Sequence, residues 1–204
     1  MAEEISAKEV MALRKKTGAG IVDCKKALQE CGGDEEKAVE FLRVKGLASA
    51  EKKSGRSATE GIIHSYIHAG SQLGVLLELR CETDFVARTD DFRELANNLC
   101  LQIAAMNPAA ISEKDFPEAV LEAERKVLKE QALDSGKPEN IVDKMVEGRM
   151  KKYLKERSLL EQVYIRNQPE QKDRTVAEYI KENIAKLGEN IEVVRFTRYE
   201  VGED

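Results

Sequence analysis

The chain has 204 residues, with 33 Lys or Arg against 38 Asp or Glu and a net charge of −5. That length allows one domain, or a small domain beside a larger one. An acidic balance without a basic tail excludes a general nucleic-acid binder, which needs clustered cations to release counterions from phosphates.

Residues 6–45 read as three short helices. Ser6 and Glu9 form a capping box, Val10 and Leu13 give an inward stripe, and Gly18 stops the first helix. A second helix runs from about Ile21 to Cys31, with Cys24, Ala27, Leu28 and Cys31 at helical spacing, and Gly32-Gly33 ends it. Asp34 caps a third, whose Ala38, Phe41 and Leu42 face inward. Residues 46–60 are small, charged and poor in large apolar groups, the composition of a linker that starts helical. The expected boundary gives domains 1–54 and 55–204.

Beyond it the period changes from 3.6 to 2. Ile63, Ser65, Ile67 and Ala69 alternate with Ile62, His64, Tyr66 and His68, and Leu73 to Cys81 returns with Val75, Leu77 and Leu79 on one face. This predicts a β-hairpin. A helix follows with Phe92, Leu95, Ala96, Leu99, Ile103 and Met106 in a stripe, ended by Asn107-Pro108. Ser112 caps a turn; a charged helix spans 118–135 and closes at Gly136; Pro138 opens the next, through about 156. Leu159 to Arg166 reads as extended, Thr175 and Glu178 cap a helix to Gly188, and Ile191 to Val201 is a strand. The expected class is α+β, with helices packed on a small antiparallel sheet.

Catalytic chemistry finds little support. Thr17-Gly18-Ala19-Gly20 has too few glycines for a phosphate loop and lies between helices rather than after a strand. His64 and His68 lack a carboxylate or Cys at ligand spacing, and no Ser or Cys occupies a nucleophile elbow. Cys24, Cys31, Cys81 and Cys100 show no CxxC spacing and read as small apolar residues in a reducing cytoplasm. The opening Met1-Ala2-Glu3-Glu4 has no signal-peptide core, and no later run approaches the roughly 20 apolar residues of a membrane span. The expectation is a cytoplasmic protein that is not an enzyme and has no cofactor, metal, nucleic acid or membrane among its ligands.

Two features stand apart. Ile21 and Val22 lie about 100° apart at a helix start, so only one is expected to face the core, and the other is exposed beside Arg14, Lys15 and Lys16. The second is Cys81-Glu82-Thr83-Asp84-Phe85-Val86, where a strand ends and an aromatic follows before the next helix, capped by Thr89 and Asp90. Phe85 there is either an anchor for that helix or a wedge offered to a partner. Pattern alone favours the anchor.

These stretches resemble a known family, bacterial translation elongation factor Ts. Leu13 to Leu28 is similar to its N-terminal signature, and Cys81 to Val86 to its second. Lys137-Pro138, Met145 to Lys152 and the closing Arg195 to Gly202 are similar to later segments. The resemblance implies an N-terminal three-helix ubiquitin-associated-like domain docking on the nucleotide-binding domain of elongation factor Tu through Arg14, Ile21 and Val22. It further implies that Asp84 and Phe85 intrude into that GTPase and spoil its magnesium and GDP site, with Thr83 and Val86 shaping the loop. Arg80 stands where the family is expected to carry Asn.

The chain has one sheet module and stops at Asp204, as in short members that pair into homodimers. The resemblance thus implies a 2:2 complex, with elongation factor Tu bound in its GDP and nucleotide-free forms, and a contact from His68 to the partner's third domain. The competing reading is a module whose three helices bind a ubiquitin-like or helical partner, with the rest as scaffold. A weaker one is a metal- or thiol-dependent enzyme using His64, His68 and the cysteines.

Overall fold

The computed structural model describes residues 5–134 and 138–203. Eight helices and three strands run, in chain order, as α1 (Ala7–Thr17), α2 (Ile21–Glu30), α3 (Glu35–Lys53), β1 (Glu60–Ile67), β2 (Leu73–Cys81), α4 (Asp84–Ala87), α5 (Asp90–Met106), α6 (Glu118–Leu133), α7 (Glu139–Arg157), α8 (Val176–Leu187) and β3 (Ile191–Glu200). The strands form one antiparallel sheet in the order β1-β2-β3, so the class is α+β as the sequence predicts. No helix among the described residues is long and apolar enough to cross a membrane.

The chain divides into two compact units. The first holds residues 1–64, 78–97 and 178–193, the second 65–77, 98–177 and 194–204.

In the first unit the N-terminal helices begin and end where their caps dictate. Ser6 Oγ accepts from Glu9 N at 3.3 Å while Glu9 Oε2 accepts from Ser6 N at 2.8 Å, the reciprocal pair expected at the start of α1. Val10, Leu13, Cys24, Ala27, Leu28, Ala38 and Leu42 form a closed apolar cluster between α1, α2 and α3. The expected linker from residue 46 departs from this plan, because α3 continues unbroken to Lys53. Gly46 is a contact point: a Cβ there would meet Ala185 Cβ of α8 at 3.2 Å. Small residues here permit close helix approach, and Lys181 adds an ion pair to Glu51 at 3.7 Å.

Alternation holds in the hairpin. Val75, Leu77, Leu79 and Cys81 are buried along β2, while Ile63, Ser65 and Ile67 of β1 are exposed. The α5 stripe is buried from Phe92 to Ile103, but Met106 at its last residue is exposed.

In the second unit α6 and α7 pair through Leu128, Ala132, Val142, Val146 and Met150. Pro138 precedes α7 as its N-cap rather than standing inside it. The expected closure at Gly136 lies outside the described residues. Leu159 to Arg166 is irregular instead of extended. It makes an isolated bridge at Val163–Thr175, and scattered backbone bonds hold it, with Leu159 N donating to the Ala110 carbonyl at 2.9 Å, Leu160 N to Ile111 at 3.0 Å and Tyr164 N to Arg174 at 2.9 Å. Buried Gln102 donates to Gln162 Oε1 at 3.1 Å and accepts from Ile165 N at 2.9 Å. Gln162 in turn donates to the carbonyl of Glu156 at 2.8 Å. Gln102 also donates to the Val163 carbonyl at 3.2 Å, so one buried amide supplements these backbone bonds.

All four thiols are free, three of them buried and Cys31 half-buried. Burial, with a smaller push from the Glu189 carboxylate, raises the Cys81 thiol to about 11. Burial alone raises Cys100 to about 12. At pH 8 the Cys81 thiolate is then on the order of one molecule in a thousand. Alkylation of the native protein at that pH, read by mass spectrometry, is expected to modify Cys31 long before Cys81 or Cys100.

Candidate functional site

The first unit gathers three elements around the end of α8: the turn between α1 and α2, the turn between β2 and α5, and residues 186–190. Cys81 ends β2 and donates its Sγ–H to the Thr83 carbonyl at 3.1 Å. Thr83 is extended (φ −129°, ψ 155°) and its hydroxyl receives Val86 N, which starts the single turn α4. An earlier helical turn thus intervenes where the sequence suggested a bare junction capped at Thr89 and Asp90. Thr89 does act as a cap, for α5, its Oγ1 accepting from Phe92 N at 3.2 Å.

Within α4 the phase decides which side chain goes inward. Ala87 is buried at 5% exposure, and Phe85, two residues and about 200° earlier, points the other way at 78%. The anchor reading of Phe85 is therefore overturned: its ring is offered to solvent. Asp84 sits beside it, half-exposed and paired with Arg88 at 2.8 Å across one turn. Val86 is half-buried. Arg80, in the position where Asn was expected, pairs within its own strand with Glu78 at 2.6 Å.

The turn is held from α8's end. Glu189 accepts from the backbone N–H of Glu82 at 3.1 Å and of Thr83 at 3.0 Å, and from the Thr83 hydroxyl at 2.6 Å. Glu82 returns the contact, accepting from Asn190 N at 2.7 Å. Asn190, buried, donates through Nδ2 to the Arg56 carbonyl at 2.8 Å.

The α1–α2 turn is also shaped locally. Thr17 Oγ1 donates to the Leu13 carbonyl at 2.8 Å, and Gly18 takes the left-handed conformation (φ 69°) that ends α1. Ile21 and Val22 are both exposed, at 51% and 80%. Only one was expected outward. Ile21 shares the stripe of Cys24 and Leu28, but as the first residue of α2 it leans toward the N-terminus, past the end of the core. Arg14 is exposed on the last turn of α1.

One side chain ties these two turns. The stem of Lys186 lies against Gly18, whose Cβ would stand 3.2 Å from Cε, and its ammonium pairs with Asp91 at 2.7 Å. The structure thus brings Arg14, Ile21, Val22, Thr83, Asp84, Phe85 and Val86 into one unit. His68 belongs to the other unit, at the hairpin end, exposed and hydrogen-bonded through Nδ1 to the Tyr66 hydroxyl at 2.8 Å. Sequence reasoning missed Lys186 and Glu189. Glu189 follows a helix-stopping glycine like any loop carboxylate, and its partner Thr83 is 106 residues away.

A family model described as Elongation factor TS matches residues 44–203, which includes the whole Phe85 turn and the α8 corner that holds it. The chain belongs to the elongation factor Ts family. Curated relatives agree over almost the entire length. Elongation factor Ts of Thermoanaerobacter sp. (strain X514) is 58% identical over 199 residues, covering 98% of this chain and 96% of its own. That of Moorella thermoacetica is 55% identical over 98% of this chain and 96% of its own. That of Desulfitobacterium hafniense is 54% identical over 98% of this chain and 90% of its own. Elongation factor Ts is a family of translation elongation factors.

Proposed function

We propose that this chain is a cytoplasmic guanine-nucleotide exchange factor for elongation factor Tu and works without covalent chemistry. The observation that carries the reading is Phe85, a large apolar ring at 78% exposure on a turn fixed by Glu189. An ordered backbone that shows a phenyl group to water gains only when a partner covers it. Family membership supplies the partner class.

In this mechanism Arg14, Ile21 and Val22 dock on the nucleotide-binding domain, and Phe85 with Asp84 enters the GTPase. The altered GTPase loses its hold on Mg²⁺ and GDP, and GTP then displaces the factor. Linkage requires reciprocity: whatever weakens nucleotide binding lets nucleotide weaken factor binding equally. A thousandfold change needs about 4 kcal/mol of coupling. A buried phenyl ring supplies about 1.5–3 kcal/mol, so the helical contacts must contribute the rest.

The same reading makes the factor a homodimer in a 2:2 complex, with His68 reaching the third domain of the partner. The exposed Ile67, Leu76, Tyr199 and Val201 of the second unit support a covered sheet surface. The test is release of a fluorescent GDP analogue from elongation factor Tu, with the mass of the assembly measured beside it. Acceleration by catalytic amounts of the chain is the expected result; an unchanged rate overturns the proposal.

A further inference from the structure

We infer that Glu189 is a positioning residue for nucleotide exchange, acting on the partner only through the turn that carries Asp84 and Phe85; this rests on the exchange reading above. Phe85 has no packing of its own that fixes it. Its ring is exposed, and the turn that carries it has four helical residues, too short to hold itself in water. What fixes the turn is a carboxylate from a distant segment. Both Glu189 oxygens are used: Oε2 takes the Glu82 and Thr83 amides, and Oε1 takes the Thr83 hydroxyl.

The arrangement has a specific consequence. Thr83 Oγ1 is the group that caps α4, so Glu189 sets the rotamer of the cap as well as the path of the backbone. Glu82 answers by accepting from Asn190 N, so the two strand-end segments grip each other reciprocally. Charge-assisted bonds of this kind are short and directional. A wedge that enters a pocket already ordered avoids the entropy of ordering at the moment of binding. Glu189 thereby contributes to the exchange step while remaining outside the contact itself.

The expected signature separates this role from general support of the fold. Replacing Glu189 by Ala is expected to lower the saturating rate of GDP release roughly tenfold, with the half-saturating factor concentration moving less than about twofold. The helical contacts at Arg14, Ile21 and Val22 are untouched by the change. Glu189→Gln keeps one acceptor oxygen and is expected to fall between. In an Asp84→Ala/Phe85→Ala background, Glu189→Ala is expected to add nothing, because both residues through which it acts are gone.

The experiment measures these rates on elongation factor Tu loaded with fluorescent GDP, together with amide hydrogen exchange of residues 82–87 in the free factor. Faster amide exchange, a lowered plateau and silence in the Asp84→Ala/Phe85→Ala background support the inference. Equal losses in both backgrounds, or unchanged amide exchange with an unchanged plateau, overturn it. If the parent chain itself fails to accelerate release, the exchange reading fails first and takes this inference with it.

Discussion

Phe85→Ala is expected to fold like the parent chain and to slow release of GDP from elongation factor Tu roughly tenfold to a hundredfold. The asymmetry comes from where the ring stands. Truncating a side chain that is 78% exposed removes little packing from the free protein. Its stability should therefore stay within about 0.5 kcal/mol of the parent. In the proposed complex the same ring becomes buried, so its loss is expected to be felt in full. Urea titration of the free factor and stopped-flow release of labelled nucleotide give the two numbers. A parent-like release rate from the folded variant would remove Phe85 from the mechanism.

Gly61→Ala is expected to cost about 3 kcal/mol or more of stability. Gly61, the second residue of β1, has φ 150°, a conformation side-chain-bearing residues rarely adopt. A Cβ there would stand 2.2 Å from the Leu79 carbonyl oxygen and 2.7 Å from Arg80 Cα. Those are backbone atoms of the neighbouring strand, so no rotamer change relieves the clash. Separating the strands would break the ladder that leads into the Phe85 turn. A urea midpoint indistinguishable from the parent's would show that β1 and β2 do not approach so closely at this point. Because β2 ends at Cys81, the variant is also expected to lose exchange activity at temperatures where it is still folded.

Much of the fold was legible because its signals are local. The Ser6–Glu9 box, the stop at Gly18, the alternation of β2 and the stripe of α5 each need only a few neighbouring residues to be read. The α3 extension was hidden for the opposite reason. Gly46, Ala48 and Ala50 look like linker composition until Ala185 is seen against Gly46. The segment 159–166 misled because its apolar residues suggest a strand, while its backbone bonds go to the scattered Ala110, Ile111 and Arg174 and to the Gln102 amide rather than to one ladder. The motif residues of the site could be named from the sequence. What holds them could not: Glu189 meets Thr83, and Lys186 meets Gly18 and Asp91, only after the chain has folded back on itself. Pattern alone favoured Phe85 as an anchor because an aromatic near a helix start usually staples it, and only the phase set by Ala87 turns the ring outward.

Lys186 spans the gap from Gly18 to Asp91 and so fixes the interval between two separate gripping points. Under the exchange mechanism proposed above, the factor then acts as a caliper with a preset opening. A GTPase whose surface matches that opening in one nucleotide state and departs from it in another is held and let go by geometry alone, with no moving part needed in the factor.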